Sequence, residues 1–489
     1  MPSSITDLPA DAVGLILVRL NLHEFARSAC VCRHFQRAVR QAETARIKAC
    51  SVPLPTLRPG ESRLRALRFA EVVAETEYAT LACGVIALCN SPQGDRVWKW
   101  SYRYDADSAA HATAAHAKVR PHTLGANAHA LVVDTNGAVW SWMEEGDSTS
   151  GELGHCNLVV VTIPKRIASL AGTRIIQVAA SRSCSLFLTS EGAVLGCGFN
   201  NCGQLGVCDT DCRVKPAAVP GFAGRRVVEL SAGTTHSAAV DEAGALWTWG
   251  LGQYRPDAKS NALGLGYTNR VMRPTLVASF TPQRVRHVSA GAAFSVAVTA
   301  AGELYACGSG ARGRLGLGSW ESKDTFTLVT ALAGIPVISA SAGESHSVVL
   351  TEAGVYTMGN GDHGQLGHGD LGWRQVPTLV KSFAPPLSAE QVDARTLREL
   401  KRELERRGLN SEGDKAVLAA RLLAEQPAFG RVVEVAAGSL VSLARGADGK
   451  VYGWGAGRYD GNGSWNRAKK TVPVCLDWLE SLCDQLESW

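Results

Sequence analysis

One short β-strand pattern recurs seven times along the 489-residue chain and constrains its fold more than any other feature. In each unit a small residue marks a strand start, and an aromatic or cysteine strand follows, usually ending near a glycine. The strand starts are Gly84, Ala126, Ser181, Gly233, Gly291, Gly343 and Gly438, so five intervals span 42 to 58 residues and the last spans 95. A repeat of roughly 50 residues with several short strands is typical of β-propeller blades. The longer last interval predicts an insertion.

A second pattern, Gly-x-Leu-Gly or its Leu-Gly core, follows the aromatic or cysteine strand in five units. It occurs at 151–154, 203–206, 263–264, 313–316 and 364–367. We expect its leucine to pack between blades, while its glycines let two backbones approach closely. Because one blade cannot bury both of its faces alone, the blades must stack radially, which leaves only short sheet edges exposed.

These repeats resemble those of the regulator of chromosome condensation family, whose members fold as seven-bladed β-propellers. The resemblance implies a mainly β protein with blades one to six over 69–386, the last blade over 428–480 and a helical tail over 481–489. It is weakest in the first unit, where a long Ala- and His-rich stretch follows Trp100 in place of Gly-x-Leu-Gly. We expect the ring to close by pairing of the segment after Gly455 with residues 69–77.

The first 50 residues have a helical pattern that differs from the propeller repeat. Leu8-Pro9 begins a helix, apolar residues then recur at helical spacing, and a second helical stretch contains Val31-Cys32-Arg33-His34-Phe35. This order resembles an F-box over 1–50, followed by a linker helix over 51–68. The resemblance implies binding to the Skp adaptor of cullin ubiquitin ligases through Leu8, Pro9, Ile16, Leu17, Leu20, Val31 and Phe35. The alternative is that these helices only cap the propeller.

The 95-residue interval contains a predicted helical hairpin between Pro385-Pro386 and Pro427. Apolar residues at helical spacing predict one helix near 393–407 and a second near 414–425. Their predicted apolar faces consist of Leu397, Leu400 and Leu404 in the first helix, and Val417, Leu418, Leu422 and Leu423 in the second. The string from Leu397 to Leu422 resembles a SAP domain, a DNA-binding helical module, here over 387–427.

The SAP resemblance implies contacts to duplex DNA from Arg398, Gly413, Lys415 and Arg421. Gly413-Asp414-Lys415 begins the second helix, where free backbone N–H groups and a lysine can bind a phosphate. We expect weak, salt-dependent binding that localises the protein without specifying a sequence. The alternative is a charged helix that is simply solvated.

Composition adds few constraints. The net charge is only +5, so binding of polyanions by the whole molecule is not implied. The first residues do not form a signal peptide and no apolar stretch is long enough to cross a membrane. We therefore expect a protein of the nucleus and cytoplasm, in a reducing compartment, with no membrane partner.

Four cysteines, Cys197, Cys202, Cys208 and Cys212, lie close enough in sequence to suggest a zinc site. Cys197 occupies the repeat position that Trp249 and Cys307 occupy in other units, which indicates a strand residue. The cluster also lacks the paired C-x2-C spacing of structural zinc sites. We expect no metal and no cofactor.

The sequence contains no recognisable catalytic constellation. His236 and His346 share a repeat position with Phe294 and Val441, which indicates packing, and no phosphate-binding loop occurs. We expect a non-enzymatic substrate receptor of a cullin-type ubiquitin ligase, whose propeller binds an unidentified client protein. Two alternatives remain open. One is a guanine-nucleotide exchange factor for a small GTPase, with the long loop 253–261 as a wedge; the other is a non-catalytic chromatin scaffold.

Overall fold

The computed structural model of the chain describes strand residues 81–82, 86–89, 96–99, 119–126 and 129–134, and then 136–475 with gaps. The gaps are 144–148, 162–164, 223, 253–260, 268–269, 385–388, 407–408, 425–428, 448–449 and 457–468. The predicted F-box, the linker helix and the C-terminal tail lie outside the described residues. The described strands form antiparallel sheets, and in the four-stranded ones the first strand of each sheet contacts the first strand of the next, as in a β-propeller.

Each sheet is a meander in which consecutive strands pair. The three-stranded sheet consists of β1 (Leu81–Ala82), β2 (Ile86–Cys89) and β3 (Arg96–Lys99). Blade one consists of β4 (Val119–Ala126), β5 (His129–Asp134), β6 (Val139–Met143) and β7 (Lys165–Arg166). Blade two consists of β8 (Ile175–Ala180), β9 (Cys184–Thr189), β10 (Val194–Gly198) and β11 (Arg213–Ala218). Blade three consists of β12 (Val227–Ala232), β13 (His236–Asp241), β14 (Leu246–Gly250) and β15 (Val271–Leu276).

The remaining blades repeat this arrangement. Blade four consists of β16 (Val285–Ala290), β17 (Phe294–Thr299), β18 (Leu304–Gly308) and β19 (Lys323–Leu328). Blade five consists of β20 (Val337–Ala342), β21 (His346–Thr351), β22 (Gly354–Gly359) and β23 (Arg374–Leu379). Blade six consists of β24 (Val432–Ala437), β25 (Val441–Gly446), β26 (Val451–Ala456) and β27 (Lys469–Cys475). One-turn 3-10 helices occur at Ala168–Leu170, Ala278–Phe280, Ala311–Gly313, Thr330–Leu332 and Lys381–Phe383.

Within the described residues the propeller has six four-stranded blades, so the prediction of seven complete blades is wrong. The unit that includes Gly84 forms the three-stranded sheet, whose strand β1 lies beside β24 and β25 on one side and β4 on the other. The sequence after Trp100 gives the physical reason. Residues 101–118 are rich in alanine, which is depleted in strands, whereas blade six also lacks the Gly-x-Leu-Gly turn but continues into the β-branched strand β27.

The predicted pairing that closes the ring involves residues that the structure does not describe and stays a prediction. The segment after Gly455 contains β27, which pairs with β26 and forms the outer strand of blade six. Residues 69–77, its predicted partners, lie outside the described residues. In the described part of the chain it is β1 that stands between the last blade and the first four-stranded one.

Neighbouring blades are joined by a repeated serine contact. In blades two to six, a serine near the start of the second strand donates its hydroxyl to a backbone carbonyl of the preceding blade. The pairs are Ser185 with Glu152, Ser237 with Gln204, Ser295 with Ala262, Ser347 with Arg314 and Ser442 with Gln365. Each carbonyl belongs to the residue before the leucine of a Leu-Gly turn. Those leucines are buried as predicted: Leu153, Leu205, Leu263, Leu315 and Leu366.

The insertion forms three helices: α1 (Ala389–Asp393), α2 (Leu397–Arg406) and α3 (Lys415–Ala424). Helix α2 begins with a capping box, in which Glu399 Oε2 accepts from the Thr396 N–H at 2.7 Å and the Glu399 N–H donates to Thr396 Oγ1. Asp414 caps α3 by accepting from the Val417 N–H at 2.9 Å. The core of the insertion consists of Val392, Leu400, Leu404, Leu418, Ala419 and Leu422.

Two predicted core residues of the insertion are in fact on its surface. Leu397 is 42% exposed and Val417 is 45% exposed. The predicted first helix corresponds to α2, and the short helix α1 that precedes it is not predicted by the sequence pattern. Val392 of α1 packs with Leu400 and Leu404 in the core, whereas Leu397, at the start of α2, lies at the edge of the apolar stripe.

The two ends of the insertion meet at the propeller. The Phe429 N–H donates to the Ser382 carbonyl at 3.2 Å, and the Phe429 ring lies 4.3 Å from the Tyr452 ring of blade six. The insertion therefore leaves and re-enters the propeller at one place. Pro385, Pro386 and Pro427 lie outside the described residues.

Candidate functional site

The antiparallel strands place the connections of every blade on two opposite faces of the propeller. Connections between first and second strands, and between third and fourth strands, share one face. Hairpins between second and third strands share the other face with the crossovers to the next blade. Helices α1–α3 lie in the crossover from β23 to β24, so we call this side the insertion face. The opposite side is called the Trp face, after Trp320 and Trp373.

Two exposed tryptophans from neighbouring blades meet on the Trp face. Trp320 lies between β18 and β19, and Trp373 lies directly before β23. Their ring centroids are 5.7 Å apart at an interplanar angle of 78°, an edge-to-face pair. Both side chains are nearly half exposed, and exposed Leu371 and Val376 are neighbours in sequence of Trp373. Exposed aromatic and aliphatic side chains of this kind are typical of protein-binding surfaces.

Charged groups hold the orientation of Trp373. Its Nε1–H donates to Asp362 Oδ1 at 2.7 Å, and the Arg312 guanidinium lies 5.6 Å from its ring centroid. Arg312 also lies 3.8 Å from the Asp362 carboxylate. Trp, Asp and Arg thus form one connected cluster that spans the connections of two blades.

Arg312 adopts a backbone conformation that is unusual for its residue type. Its φ is 62°, in the left-handed region that glycine tolerates far better. Such strain, of about 1–3 kcal/mol, tends to persist at functional sites because the surrounding structure fixes it. The neighbouring Arg314 fixes this turn by donating Nε to the Ala311 carbonyl and Nη1 to the Glu344 carbonyl. Burial lowers the pKa of Arg314 to about 10, with a further lowering from Arg312.

The structure brings three of the four predicted DNA-contact residues together, around the segment 410–413. Gly413 has a φ of 130°, which favours glycine. Lys415 Nζ donates to the Asp393 carbonyl at the end of α1 at 2.9 Å. Arg421 Nη1 donates to the Asn410 and Glu412 carbonyls. Arg398 lies apart from them in sequence, on exposed helix α2.

These contacts change how the predicted residues are to be interpreted. Arg421 is half-buried, and its hydrogen bonds to backbone carbonyls stabilise the segment before α3. Its sequence position does not predict this structural role. Helix α2, by contrast, carries Arg398, Lys401 and Arg402 on its exposed surface at helical spacing. These three side chains, which include two that sequence reasoning did not assign, are the better candidates for phosphate contacts.

Two further predictions concern residues elsewhere. All seven predicted adaptor-binding residues, Leu8 to Phe35, lie outside the described residues, as does most of the loop 253–261. Cys197 is buried in β10 opposite Ser185, Cys202 is half-buried, and Cys208 and Cys212 are exposed. In the part of the chain that the structure describes, no three His, Cys, Asp or Glu side chains converge as a metal site would require. None of the described helices is long and apolar enough to span a bilayer.

Three family models match the chain, in an order that agrees with the sequence patterns. An F-box domain matches residues 5–44, an RCC1-like domain matches 104–396 and a SAP domain matches 391–425. The RCC1-like match covers more than half of the chain.

Several known proteins are similar to the propeller. The human E3 ubiquitin-protein ligase HERC2 is 34% identical over 258 residues, which is 52% of this chain and 5% of that protein. The ultraviolet-B receptor UVR8 of Arabidopsis thaliana is 34% identical over 250 residues, which is 51% of this chain and 54% of the receptor. The chain thus spans about half, or much less, of the length of these curated relatives.

Two solved structures share the fold. Human WBSCR16 has a TM-score of 0.54 at 18% identity, over 78% of this chain and 93% of that one. Prp20p from Saccharomyces cerevisiae has a TM-score of 0.53 at 20% identity, over 77% of this chain and 82% of that one. At these identities the likeness concerns the fold alone.

Proposed function

Because this chain belongs to the family of proteins with an RCC1-like domain and also carries an F-box domain, we propose that it is a substrate receptor of a cullin-type ubiquitin ligase. The observation that carries the proposal is the combination of an adaptor-binding module with a propeller that exposes a Trp–Arg cluster. A receptor needs both parts, one to join the ligase and one to bind a client. The chain itself supplies no catalytic group in this proposal.

The F-box would bind the Skp adaptor by burying apolar side chains. The residues proposed for this contact are Leu8, Pro9, Ile16, Leu17, Leu20, Val31 and Phe35. Burial of one leucine or phenylalanine side chain stabilises a complex by roughly 1.5–3 kcal/mol. A few such side chains are enough for a stable adaptor complex.

The client would bind to the Trp face at Trp320, Trp373 and Arg312. Tryptophan and arginine are the residue types that most often dominate binding energy at protein interfaces. The cluster is also held in place before binding, because the Asp362 carboxylate accepts from Trp373 and lies 3.8 Å from Arg312. Less side-chain entropy is therefore lost when a partner covers it.

The SAP insertion would keep the receptor near DNA. Exposed Arg398, Lys401 and Arg402 on α2 supply the positive charge that phosphates require. Because the insertion and the Trp cluster lie on opposite faces, a client and DNA could be bound at the same time. This arrangement supports a receptor whose clients are presented near chromatin.

Affinity purification with mass spectrometry tests this proposal. The wild-type chain should recover a Skp adaptor, a cullin and at least one client. Trp320→Ala/Trp373→Ala should lose the client and keep the adaptor. The control Met272→Ala/Leu276→Ala, which removes exposed apolar side chains from the outer strand β15, should lose neither.

Two results would favour the alternatives. Release of guanine nucleotide from a purified small GTPase would support exchange activity. Prp20p, whose structure was described together with its binding to Gsp1p and histones, shares only the fold with this chain. Recovery of histones and DNA without a Skp adaptor would support a chromatin scaffold. Either result, if no Skp adaptor binds the chain, contradicts the receptor proposal.

A further inference from the structure

An arginine recurs at one repeat position on the insertion face. Arg174, Arg226, Arg284 and Arg431 each stand directly before the first strand of a blade, namely β8, β12, β16 and β24. All four side chains are exposed. Because every crossover enters the first strand from the insertion face, these arginines mark that face at blades two, three, four and six.

The arginine has a local packing role. A Cβ atom on Gly192 or Gly244, in the hairpin of the preceding blade, would collide with the side chain of Arg226 or Arg284. Arg226 Nη2 donates to the Ser190 carbonyl at 2.7 Å, and Arg284 Nη2 donates to the Glu242 carbonyl at 3.0 Å. The stem and one N–H group of each arginine thus cover a neighbouring hairpin.

Blade five shows that the junction does not need this charge. Pro336 takes the position before β20, and the Val337 N–H still donates to the Gly302 carbonyl at 2.9 Å. The equivalent bond beside Arg284, from the Val285 N–H to the Gly244 carbonyl, is 2.8 Å. Packing between blades therefore does not explain why four other blades carry a guanidinium here.

The guanidinium groups retain donors that can bind an anion. A guanidinium has five N–H donors, and Arg226 and Arg284 each donate one hydrogen bond to a backbone carbonyl. Arg225, the neighbour of Arg226, is instead paired with buried Asp241 at 3.2 Å. Exposed Glu191, Glu242, Glu303 and Glu352 also lie on this face, in hairpins between second and third strands. Arg226 and Arg284 bind backbone carbonyls of these hairpins rather than the carboxylates. The donors that are left match phosphate oxygens.

The insertion joins the propeller on this same face, with Phe429 anchored at Ser382 and Arg431 two residues later. Helix α2 contributes exposed Arg398, Lys401 and Arg402 to this side of the chain. We propose that Arg174, Arg226, Arg284 and Arg431 form a row that binds the phosphate backbone of duplex DNA together with the SAP insertion. This inference rests on the proposed DNA tether and extends it from a single module to the propeller.

The test measures the affinity of the full chain for a short duplex DNA over a series of salt concentrations. Each phosphate contact contributes roughly 0.9 to the slope of log K against log salt, so Arg226→Ala/Arg284→Ala should lower the slope by about 2. Arg226→Lys/Arg284→Lys keeps the charge and should restore the slope. The matched control Arg182→Ala/Arg270→Ala removes two exposed arginines from the opposite face and should leave it unchanged.

The possible failures are distinguishable. If the wild-type slope persists in Arg226→Ala/Arg284→Ala but falls in Arg398→Ala/Lys401→Ala, the tether stands and the arginine row is refuted. If the control pair lowers the slope as much as the test pair, the effect is one of net charge, and the row is also refuted. If the wild-type chain binds no DNA at low salt, both the tether and the row fail. Thermal melting of each variant checks that the blade junctions remain intact.

Discussion

Buried histidines link neighbouring blades through hydroxyl groups. His236 Nε2 lies 2.8 Å from Ser295 Oγ, and that hydroxyl lies 2.7 Å from the Ala262 carbonyl. A carbonyl only accepts, so the serine proton points to it and Nε2 must carry the proton that Ser295 accepts. The buried Nδ1 has no hydrogen-bond partner among the described residues, so a second proton there would be unsatisfied and the neutral form of His236 is favoured. Burial lowers its pKa to about 4.

This geometry predicts acid sensitivity at His236. The folded state keeps it neutral, whereas the unfolded chain takes up a proton below a pKa of about 6.5. The contribution is complete above that value and is lost as pH falls towards about 4, by at most roughly 3 kcal/mol. His236→Phe should reduce this loss, because Phe294 occupies the equivalent position of blade four and Ser347 still donates there to Arg314. Urea unfolding at several pH values measures the loss.

Blade four offers the reciprocal variant. Phe294→His should bring a new neutral histidine beside Ser347 and steepen the loss of stability in acid. The expectation is contradicted if His236→Phe and the wild type lose the same free energy of unfolding between neutral pH and about pH 4.

Arg312 should show a trade-off between stability and binding. Arg312→Gly relieves the positive φ and should raise the free energy of unfolding by about 1 kcal/mol. It also removes the guanidinium from Trp373 and should weaken client capture. Thermal melting and the purification assay measure the two effects. A variant that is less stable than wild type, or that captures the client equally well, would speak against this role.

At the residue scale, the sequence indicates positions better than partners. The repeat places Cys197 with Trp249 and Cys307, and the structure confirms that all three lie opposite the repeated serine. The repeat position of His236 and His346 predicts packing residues but does not predict their bonds to Ser295 and Ser442. Those serines lie in the next unit along the chain. Only the contact between blades shows which histidine meets which hydroxyl.

At the scale of elements, the insertion shows the limits of helical periodicity. The spacing of Leu400, Leu404, Leu418 and Leu422 correctly predicted the buried faces of two helices. It also included Leu397 and Val417, because periodicity cannot tell a core position from the edge of the apolar stripe. Helix α1 is only five residues long and was not foreseen, since so short a helix gives almost no periodic signal.

The two leucines of α2 form a matched pair for testing this core. Leu400→Ala should cost about 3 kcal/mol and unfold much of the insertion, because a small core has little stability to lose. Leu397→Ala should cost far less, since that side chain is partly exposed already. Amide hydrogen exchange over 389–424 reports the difference. Equal protection in the two variants would contradict the assigned core.

The insertion should be removable without harm to the propeller. Replacement of residues 388–426 by a short Gly/Ser linker keeps Ser382 and Phe429, and loop-closure entropy changes slowly with length. The melting temperature should therefore change little. Phe429→Ala, in contrast, removes a ring packed on Tyr452 and should cost about 2 kcal/mol. If excision collapses the melting transition, the helices are part of the propeller core.

At the scale of the whole molecule, the repeat spacing predicted the architecture well but overstated its regularity. The sequence contains seven units, yet only six form four-stranded blades in the described part of the chain. Nothing in the repeat predicts the Trp cluster. Trp320 and Trp373 lie outside the repeat positions, and they meet only because their blades are neighbours. Surfaces built from two blades leave no local signal in the sequence.

We propose that the two faces of the propeller have different roles. The Trp face would receive a client, and the insertion face would contact DNA. Both roles depend on the F-box, because a receptor that does not bind the ligase cannot lead to ubiquitination of its client. Adaptor binding is therefore the step on which both roles depend.

Adaptor binding can be measured by mixing the purified chain with a purified Skp adaptor and following complex formation by size-exclusion chromatography. The wild-type chain should co-elute with the adaptor in a stable complex. Leu8→Asp/Leu17→Asp should elute separately, because two buried charges oppose an apolar contact, while its propeller melts as in the wild type. A wild-type chain that forms no complex, or a double variant that binds equally well, would contradict adaptor binding through the F-box.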